Sequence, residues 1–456
     1  MLDLTQSSLH FNVGIVANQD PPRKHGSNRV HDEMLISLHH CSLSLSPFIR
    51  FFNTQSIPFF KPMKLLSLSR LFASCMIPWV ITLCGSLYGA EPLLEQSDVF
   101  PAGMNGISLY RIPGIVVTPK RTVLAYCEAR RNSSSDWGEI EVHLRRSLDG
   151  GVTWQPPQHI AHHADRIEGN PTKPQGGEKE QTVNNPVAIV DPSTGAIEFL
   201  YCVNYARCFH MRSTDDGITW SNPVEITDSF LPFRSKYNWK VIATGPGHGI
   251  AMRNGRLVVP IWLAYGKEGD HHPSAAATIY SDDHGKTWLA GEIAVPDEGE
   301  YGDPNETMIT QLSDDRVYLV TRNESVPNLK IVTTSKDGAT NWSQPQFHQE
   351  LWEPRCMASV IAHPSKPGTL LFSNPHTRAV DAQGNPLPNG RGERKNLSIK
   401  LSRDDGQTWP INKTLENGPS AYSDLAILPD GNVLCLYEGK KKIVCARFNL
   451  EWLTTP

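Results

Sequence analysis

"SLDGGVTW", Ser147–Trp154, packs an acid, two hydroxyls and an indole into eight residues. The phrase returns as "STDDGITW" (Ser213–Trp220), "SDDHGKTW" (Ser281–Trp288) and "SRDDGQTW" (Ser402–Trp409), with a degraded copy, "SKDGATNW", at Ser335–Trp342. An enzyme acting on one substrate needs one nucleophile or one acid, so five copies of a catalytic apparatus make little chemical sense. Repetition at steps of 54 to 68 residues points to architecture instead. Each copy reads as a tight turn in which the Asp carboxylate caps backbone N–H groups, the Gly supplies a positive φ and the Trp packs against a sheet.

Around these turns the chain is rich in short runs such as "GRLVVPIWLAY" (Gly255–Tyr265), "RVYLVTR" (Arg316–Arg322), "GTLLFSNP" (Gly368–Pro375) and "GNVLCLYEG" (Gly431–Gly439). Gly, Pro, Asn and Asp punctuate them, and no strong helical periodicity interrupts them. Roughly 350 residues divided by a spacing near 60 makes about six units, each with room for four antiparallel strands. The expected fold is therefore all-β, a six-bladed β-propeller of four-stranded antiparallel blades. One blade lacks the phrase and is expected to be closed by strands from both ends of the domain, "KIVCARFNLEWL" (Lys442–Leu453) among them.

With 456 residues, 39% hydrophobic and 20% charged, the chain can bury a substantial core. A net charge of -4 without a long basic run argues against nucleic acid as a partner. From Met63, Lys64 and Arg70 precede an apolar stretch, Leu71–Leu87, that ends in small residues near Ala90. That is the layout of a secretory signal peptide over 63–90, which predicts a secreted or periplasmic protein. An uncleaved anchor is the alternative, but Pro78 and the small-residue exit favour cleavage and hence no stable membrane span. Residues 1–62 then form an upstream extension, disordered or preceding the true start, and 91–456 form the propeller domain.

Six cysteines follow that leader: Cys127, Cys202, Cys208, Cys356, Cys435 and Cys445. Export permits disulfides, and Cys435 and Cys445 flank "EGKKK" symmetrically enough to face one another across a hairpin. The six can equally serve as small buried hydrophobes. No cysteine pair has zinc spacing, and the doublets His162-His163 and His271-His272 lack companion ligands, so neither a catalytic metal nor a cofactor is expected.

Outside the turns, "YRIPGIV" places Arg111 on an apolar strand, where an unpaired guanidinium is costly to bury. Downstream, "EARRNSSSDWGE" brings Arg130, Arg131 and Asp136 onto a loop. Taken singly, these read as surface or interblade ion pairs. Joined, Arg-Ile-Pro followed about 25 residues later by "EAR" and "SSSD", and then by an Asp-containing turn, resembles the N-terminal signature of the exo-α-sialidases (neuraminidases) with their Asp-box repeats. The resemblance continues through "NET" with Glu306, "VTRN" with Arg322, "RKNLSIKLSRDDGQTW" with Arg394, "GPSAYSDLAILPDG" with Tyr422 and "LYEG" with Glu438. It covers Phe100 to Leu453.

The resemblance implies hydrolysis of terminal α-linked sialic acids on glycoproteins, glycolipids or oligosaccharides, by a monomer without a cofactor. Sialic acid carries a carboxylate on its anomeric carbon, and arginine offers planar bidentate recognition of it. The family pattern assigns this clamp to Arg111, Arg322 and Arg394, with Glu438 behind Arg111 and Arg391 as a lesser rival of Arg394. A carboxylate nucleophile would be repelled by the substrate's own carboxylate, whereas a neutral phenol would not. By similarity Tyr422 attacks, Glu306 draws off its proton, and Asp136 serves as acid and then base, with retention of configuration. Arg130 matches an arginine near the sugar's distal hydroxyl, and Asn185 stands where relatives carry Asp. His248, in "ATGPGHGI", is expected on the glycerol or aglycone side. The alternatives are a sialic-acid-binding propeller without turnover, a trans-sialidase, and a hydrolase of neutral glycans, which has no use for three convergent arginines.

Overall fold

The run "GRLVVPIWLAY" becomes the strand Leu257–Ala264, buried along its whole length. A strand covered on both faces reads as a continuous apolar run rather than an alternating one, and here neighbouring blades supply both covers. The computed structural model describes residues 90–132, 134–161, 167, 180–266, 271–387 and 390–456. The expected extension over 1–62, the leader up to residue 89 and the His162-His163 doublet lie outside them.

Six antiparallel sheets follow in chain order. Blade 1 is Leu109–Val117, Val123–Arg130, Ile140–Ser147 and Gln158–Ala161. Blade 2 is Val183–Val190, Ile197–Val203, Arg207–Ser213 and Val224–Glu225. Blade 3 is Val241–Thr244, Leu257–Ala264, Ser274–Ser281 and Leu289–Val295. Blade 4 is Thr307–Gln311, Val317–Thr321, Leu329–Ser335 and Gln346–Trp352. Blade 5 is Ser359–Ala362, Leu370–Pro375, Lys395–Ser402 and Ile411–Pro419. Blade 6 takes Ser423–Ile427, Val433–Gly439 and Lys442–Phe448 from the C-terminal end, and its fourth strand, Leu94–Pro101, from the N-terminal end.

Inner strands of each blade touch those of the next, and blade 6 touches blade 1, so the ring closes. Each of the six junctions buries its own apolar cluster. Between blades 1 and 2, for instance, Leu124, Tyr126 and Leu144 meet Ala188, Phe199 and Tyr201. Every such fully buried large side chain contributes about 1.5–3 kcal/mol. Closure is sealed by the pairing of Leu94 with Phe448 through to Pro101 with Lys442.

The repeated phrase joins the third and fourth strands of blades 1 to 5. Asp149, Asp215, Asp283 and Asp404 each accept the N–H of the Thr four residues on at 2.9 Å, and the Ser two residues before each Asp accepts a glycine N–H. The degraded copy keeps the device one residue tighter, with Asp337 accepting from Ala339 and Thr340. Trp288 and Trp409 are buried against the blades. Blade 6 has no such turn because its fourth strand comes from the other end of the domain.

Two details refine this architecture. Blades 2 and 3 each carry a short fifth strand: Gly247–His248 runs parallel to Val183–Val190, and Ile250–Ala251 pairs with Leu257–Ala264. The chain crosses the propeller axis here, and Gly247 (φ 102°) permits it, since a Cβ would lie 2.9 Å from Met357 Cε and 3.0 Å from Met308 Sδ. The Cys435-Cys445 hairpin disulfide does not form: all six cysteines are free and buried. Cys445 lies opposite Leu436 and Cys435 opposite Ala446, so the two point to opposite faces of the sheet, toward different junctions.

Helix is confined, among the described residues, to Leu450–Thr454 and two 3-10 segments, Met104–Gly106 and Thr227–Ser235. None is long and apolar enough to cross a membrane. No group of three or more His, Cys, Asp or Glu among those residues could hold a metal ion.

Candidate active site

Antiparallel alternation sorts the chain between the two ends of the blades. First strands start, second strands end and third strands start at one end; third strands finish, and the Asp turns sit, at the other. Arg111 lies near the start of a first strand, Glu306 and Tyr422 just before first strands, Arg322 just after a second and Arg394 just before a third. All five therefore share the end opposite the Asp turns. Glu306 and Arg322 are cross-strand neighbours, joined by the Arg322 N–H to the Glu306 carbonyl at 2.9 Å. Tyr422 and Glu438 are held in the same way, also at 2.9 Å.

The phenol of Tyr422 is the meeting point. Its oxygen lies 2.6 Å from both carboxylate oxygens of Glu306 and accepts from Arg322 Nη1 at 2.8 Å. Arg322 Nη1 also donates to Glu306 at 2.6 Å. The guanidinium carbons of Arg111 and Arg394 stand 5.2 and 5.1 Å from the centre of the Tyr422 ring. Three cations far apart in sequence thus converge on one phenol.

Two of the guanidiniums, those of Arg111 and Arg394, are fixed from behind. Glu438 grips Arg111 with two bonds of 3.1 and 3.2 Å and accepts the Ile112 N–H at 2.9 Å. The strand breaks register between Arg111 and Gly114, and Ile112 takes φ 58°, a costly setting for a β-branched residue. Arg394 donates to the carbonyl of Arg355 at 2.6 Å, so its charge is not spent on a carboxylate at that contact. Arg391 is exposed on the loop that leads to Arg394.

Beneath that loop Lys330 and Glu353 form a fully buried ion pair at 2.7 Å. Glu353 accepts the Cys356 N–H at 2.9 Å and Lys330 donates to the Cys356 carbonyl at 2.5 Å. The turn that receives Arg394 is thereby anchored.

Asp136 stands beside this group on the loop after the second strand of blade 1, 2.8 Å from Arg130 Nη1 and 3.6 Å from Arg111 Nη1. Burial alone would raise its pKa, but the Arg130 and Arg111 guanidiniums prevail and hold it at about 2. Glu306 behaves similarly: burial opposes its charge, while Arg322 and the Tyr422 hydroxyl keep its pKa below the usual carboxylate range. Burial pushes the Tyr422 phenol far up, against the pull of Arg322. The site thus holds an ionised base, a protonated phenol and an ionised Asp136.

Three comparisons bear on this geometry. A family model described as a BNR repeat-like domain matches residues 115–435. A sialidase of Micromonospora viridifaciens is 32% identical over 390 residues, covering 80% of this chain and 55% of the relative. A sialidase of Bacteroides fragilis is 29% identical over 367 residues, covering 74% of this chain and 61% of the relative. The chain belongs to the BNR repeat-like domain family. Among solved structures, Hadza microbial sialidase Hz136 superposes with a TM-score of 0.66 at 29% identity, covering 79% of this chain and 69% of that one. The chain spans little more than half the length of the first two BNR-repeat sialidases.

Several residues around this site of the BNR repeat-like domain escaped the reading of the sequence. Glu128, fully buried, bonds Arg130 at 2.7 and 3.1 Å and accepts the Asn185 N–H at 3.0 Å. The acid that partners Arg130 therefore comes from the same strand, two residues earlier. Asn185 is buried, in the left-handed region at φ 53°, with its side-chain oxygen accepting from Asn184 at 2.9 Å. The signal was available: "CEAR" sets an acid and a base at i, i+2 on one face of a wholly buried strand. Trp137, Tyr205 and His271 pack as an aromatic group beside Asp136, with ring centres 4.4 to 5.6 Å apart. Arg355 pairs with Glu324 at 2.7 Å. The ring of His248 is buried, with Nδ1 2.7 Å from Asp424.

Proposed function

We propose that this protein is an exo-α-sialidase that releases terminal α-linked sialic acids with retention of configuration through a tyrosyl intermediate. The observation that carries the reading is the convergence of Arg111, Arg322 and Arg394 on the hydrogen-bonded Tyr422–Glu306 pair. Three guanidiniums suit a sugar carboxylate, and a phenol meets that anion without the repulsion a carboxylate nucleophile would suffer. The names of the similar proteins support the same substrate class.

In this mechanism Glu306 takes the Tyr422 proton as the phenol oxygen bonds to the anomeric carbon and the glycosidic bond breaks. Asp136 delivers a proton to the departing oxygen. Its low resting pKa is set partly by Arg111, 3.6 Å away. The substrate carboxylate neutralises Arg111 on binding, which raises Asp136 toward the protonated state that the step requires. Asp136 then deprotonates the water that attacks the anomeric carbon of the tyrosyl glycoside, and the Tyr422 oxygen leaves and regains its proton from Glu306.

We further place this activity outside the cytoplasm, in secreted or periplasmic form, on the strength of the charged and apolar leader from Lys64 to Ala90. Release of a fluorophore from an aryl α-sialoside by the purified protein tests the enzymatic reading. Binding of the sialoside without release would replace it with a lectin, and transfer to an added sugar in preference to water would replace it with a trans-sialidase.

A further inference from the structure

Asp424 lies two residues beyond Tyr422, on the innermost strand of blade 6, and is fully buried. Its carboxylate collects four donors. His248 Nδ1 lies 2.7 Å from Oδ1, Ser359 Oγ and the Leu425 N–H reach the same oxygen at 2.9 and 3.0 Å, and the Ile115 N–H reaches Oδ2 at 2.9 Å. Ile115 belongs to the first strand of blade 1, Ser359 to that of blade 5, and His248 to the axial segment paired with blade 2. One carboxylate therefore ties four parts of the ring together at the axis.

We infer that His248 and Asp424 are positioning residues, which set the Tyr422 backbone against the strand that carries Arg111; this rests on the reading of Tyr422 as nucleophile. Tyr422 and Asp424 sit at i, i+2, so both face the axis. Arg111 and Ile115 share one strand, so the bond from Ile115 to Asp424 fixes the clamp relative to the phenol.

His248 itself has little room to move. The Gly247 carbonyl accepts from Tyr126 Oη at 2.6 Å, and that oxygen accepts the Ala188 N–H at 3.0 Å. Met308 and Met357 crowd Gly247 from blades 4 and 5. A buried carboxylate is an expensive way to join strands unless its geometry serves something. Placing an attacking oxygen is such a service, because a misplacement of about 1 Å costs on the order of a hundredfold in rate.

The test compares His248→Ala with His248→Asn, whose amide nitrogen falls where Nδ1 stood. Each is measured for kcat and KM on an aryl α-sialoside, for Kd of an unreactive sialic acid analogue, and for Tm. The Ala variant is expected to lose roughly 10- to 100-fold in kcat with the analogue's Kd unchanged, and the Asn variant to recover most of that loss. Wild-type kcat in folded His248→Ala, equal losses in kcat and analogue binding, or no recovery in His248→Asn would each overturn the inference. Should His248→Ala not fold, Ser359→Ala removes one donor from the same carboxylate, and an unchanged kcat there overturns it too. Failure of the nucleophile reading shows separately, as activity retained in Tyr422→Phe.

Discussion

The phenol oxygen of Tyr422 lies 2.6 Å from both carboxylate oxygens of Glu306, across 116 residues of chain. A buried phenol with a raised pKa does not ionise unaided at neutral pH, and Glu306 is the base within reach of its proton. Neither residue would be remarkable alone; their contact turns an aromatic side chain into a potential nucleophile.

Tyr422→Phe is expected to lower turnover of an aryl α-sialoside by roughly a thousandfold or more. Binding of an unreactive sialic acid analogue should change little, since the three guanidiniums stay in place. Wild-type turnover in this variant would remove Tyr422 from the mechanism.

Glu438→Gln halves the charge-assisted grip on Arg111, which has two bonds to that carboxylate. A charge-assisted bond is worth about 1.5–3 kcal/mol, so the analogue should bind roughly 10- to 100-fold more weakly. Calorimetric titration checks this, and an unchanged Kd would show that Arg111 needs no such support.

Asp136→Ala should harm natural sialosides far more than those with an activated phenol leaving group, because only the former need a proton on departure. Parallel kinetics on the two substrate types decide the matter. Equal losses on both would argue that Asp136 binds or orients rather than donates.

The Asp turns make a prediction about acid stability. Burial is the largest single influence on Asp283 and opposes its charge, but the hydrogen bonds from Thr287 and Ser281 together outweigh it and hold the pKa at about 2, below the ordinary 3.8. A depressed folded-state pKa means that the stabilisation is complete above about pH 4 and disappears as pH falls through about 2. Asp283→Asn should therefore lower Tm near neutrality by the equivalent of about 0.5–1 kcal/mol after solvent screening, with the gap from wild type closing toward pH 2. A gap independent of pH would show that the carboxylate's charge does not matter to the turn.

What the sequence left open has simple physical causes. Cys435 and Cys445 look symmetric about a hairpin, yet the turn sets Cys445 opposite Leu436, and the two-residue period of a strand then turns the sulfurs apart. Glu128 and Arg130 end a wholly buried strand rather than opening the loop, and only their hydrogen bond shows that the buried acid is neutralised. The glycines on either side of His248 announce a close-packed backbone, but the meeting of its imidazole with Asp424, 176 residues away, has no local signal.

The spacing of five Asp turns and the apolar runs between them were enough to specify strands, blade number and the closing of the last blade by both ends. The strands and turns depend on contacts between residues near in sequence, whose hydrogen bonds and periodicity can be read locally. The closing of the last blade followed from counting them, although the pairing itself joins Leu94 to Phe448. The arginines and Tyr422 could be named from resemblance to a family, but their meeting could not be derived from spacing. Arg111, Arg322, Arg394 and Tyr422 belong to four different blades, and only closure of the ring, with six apolar junctions setting the angle of each blade, brings their blade ends around one axis. The same closure decides that Asp424 joins strands from distant parts of the chain, an arrangement with no local signature at all.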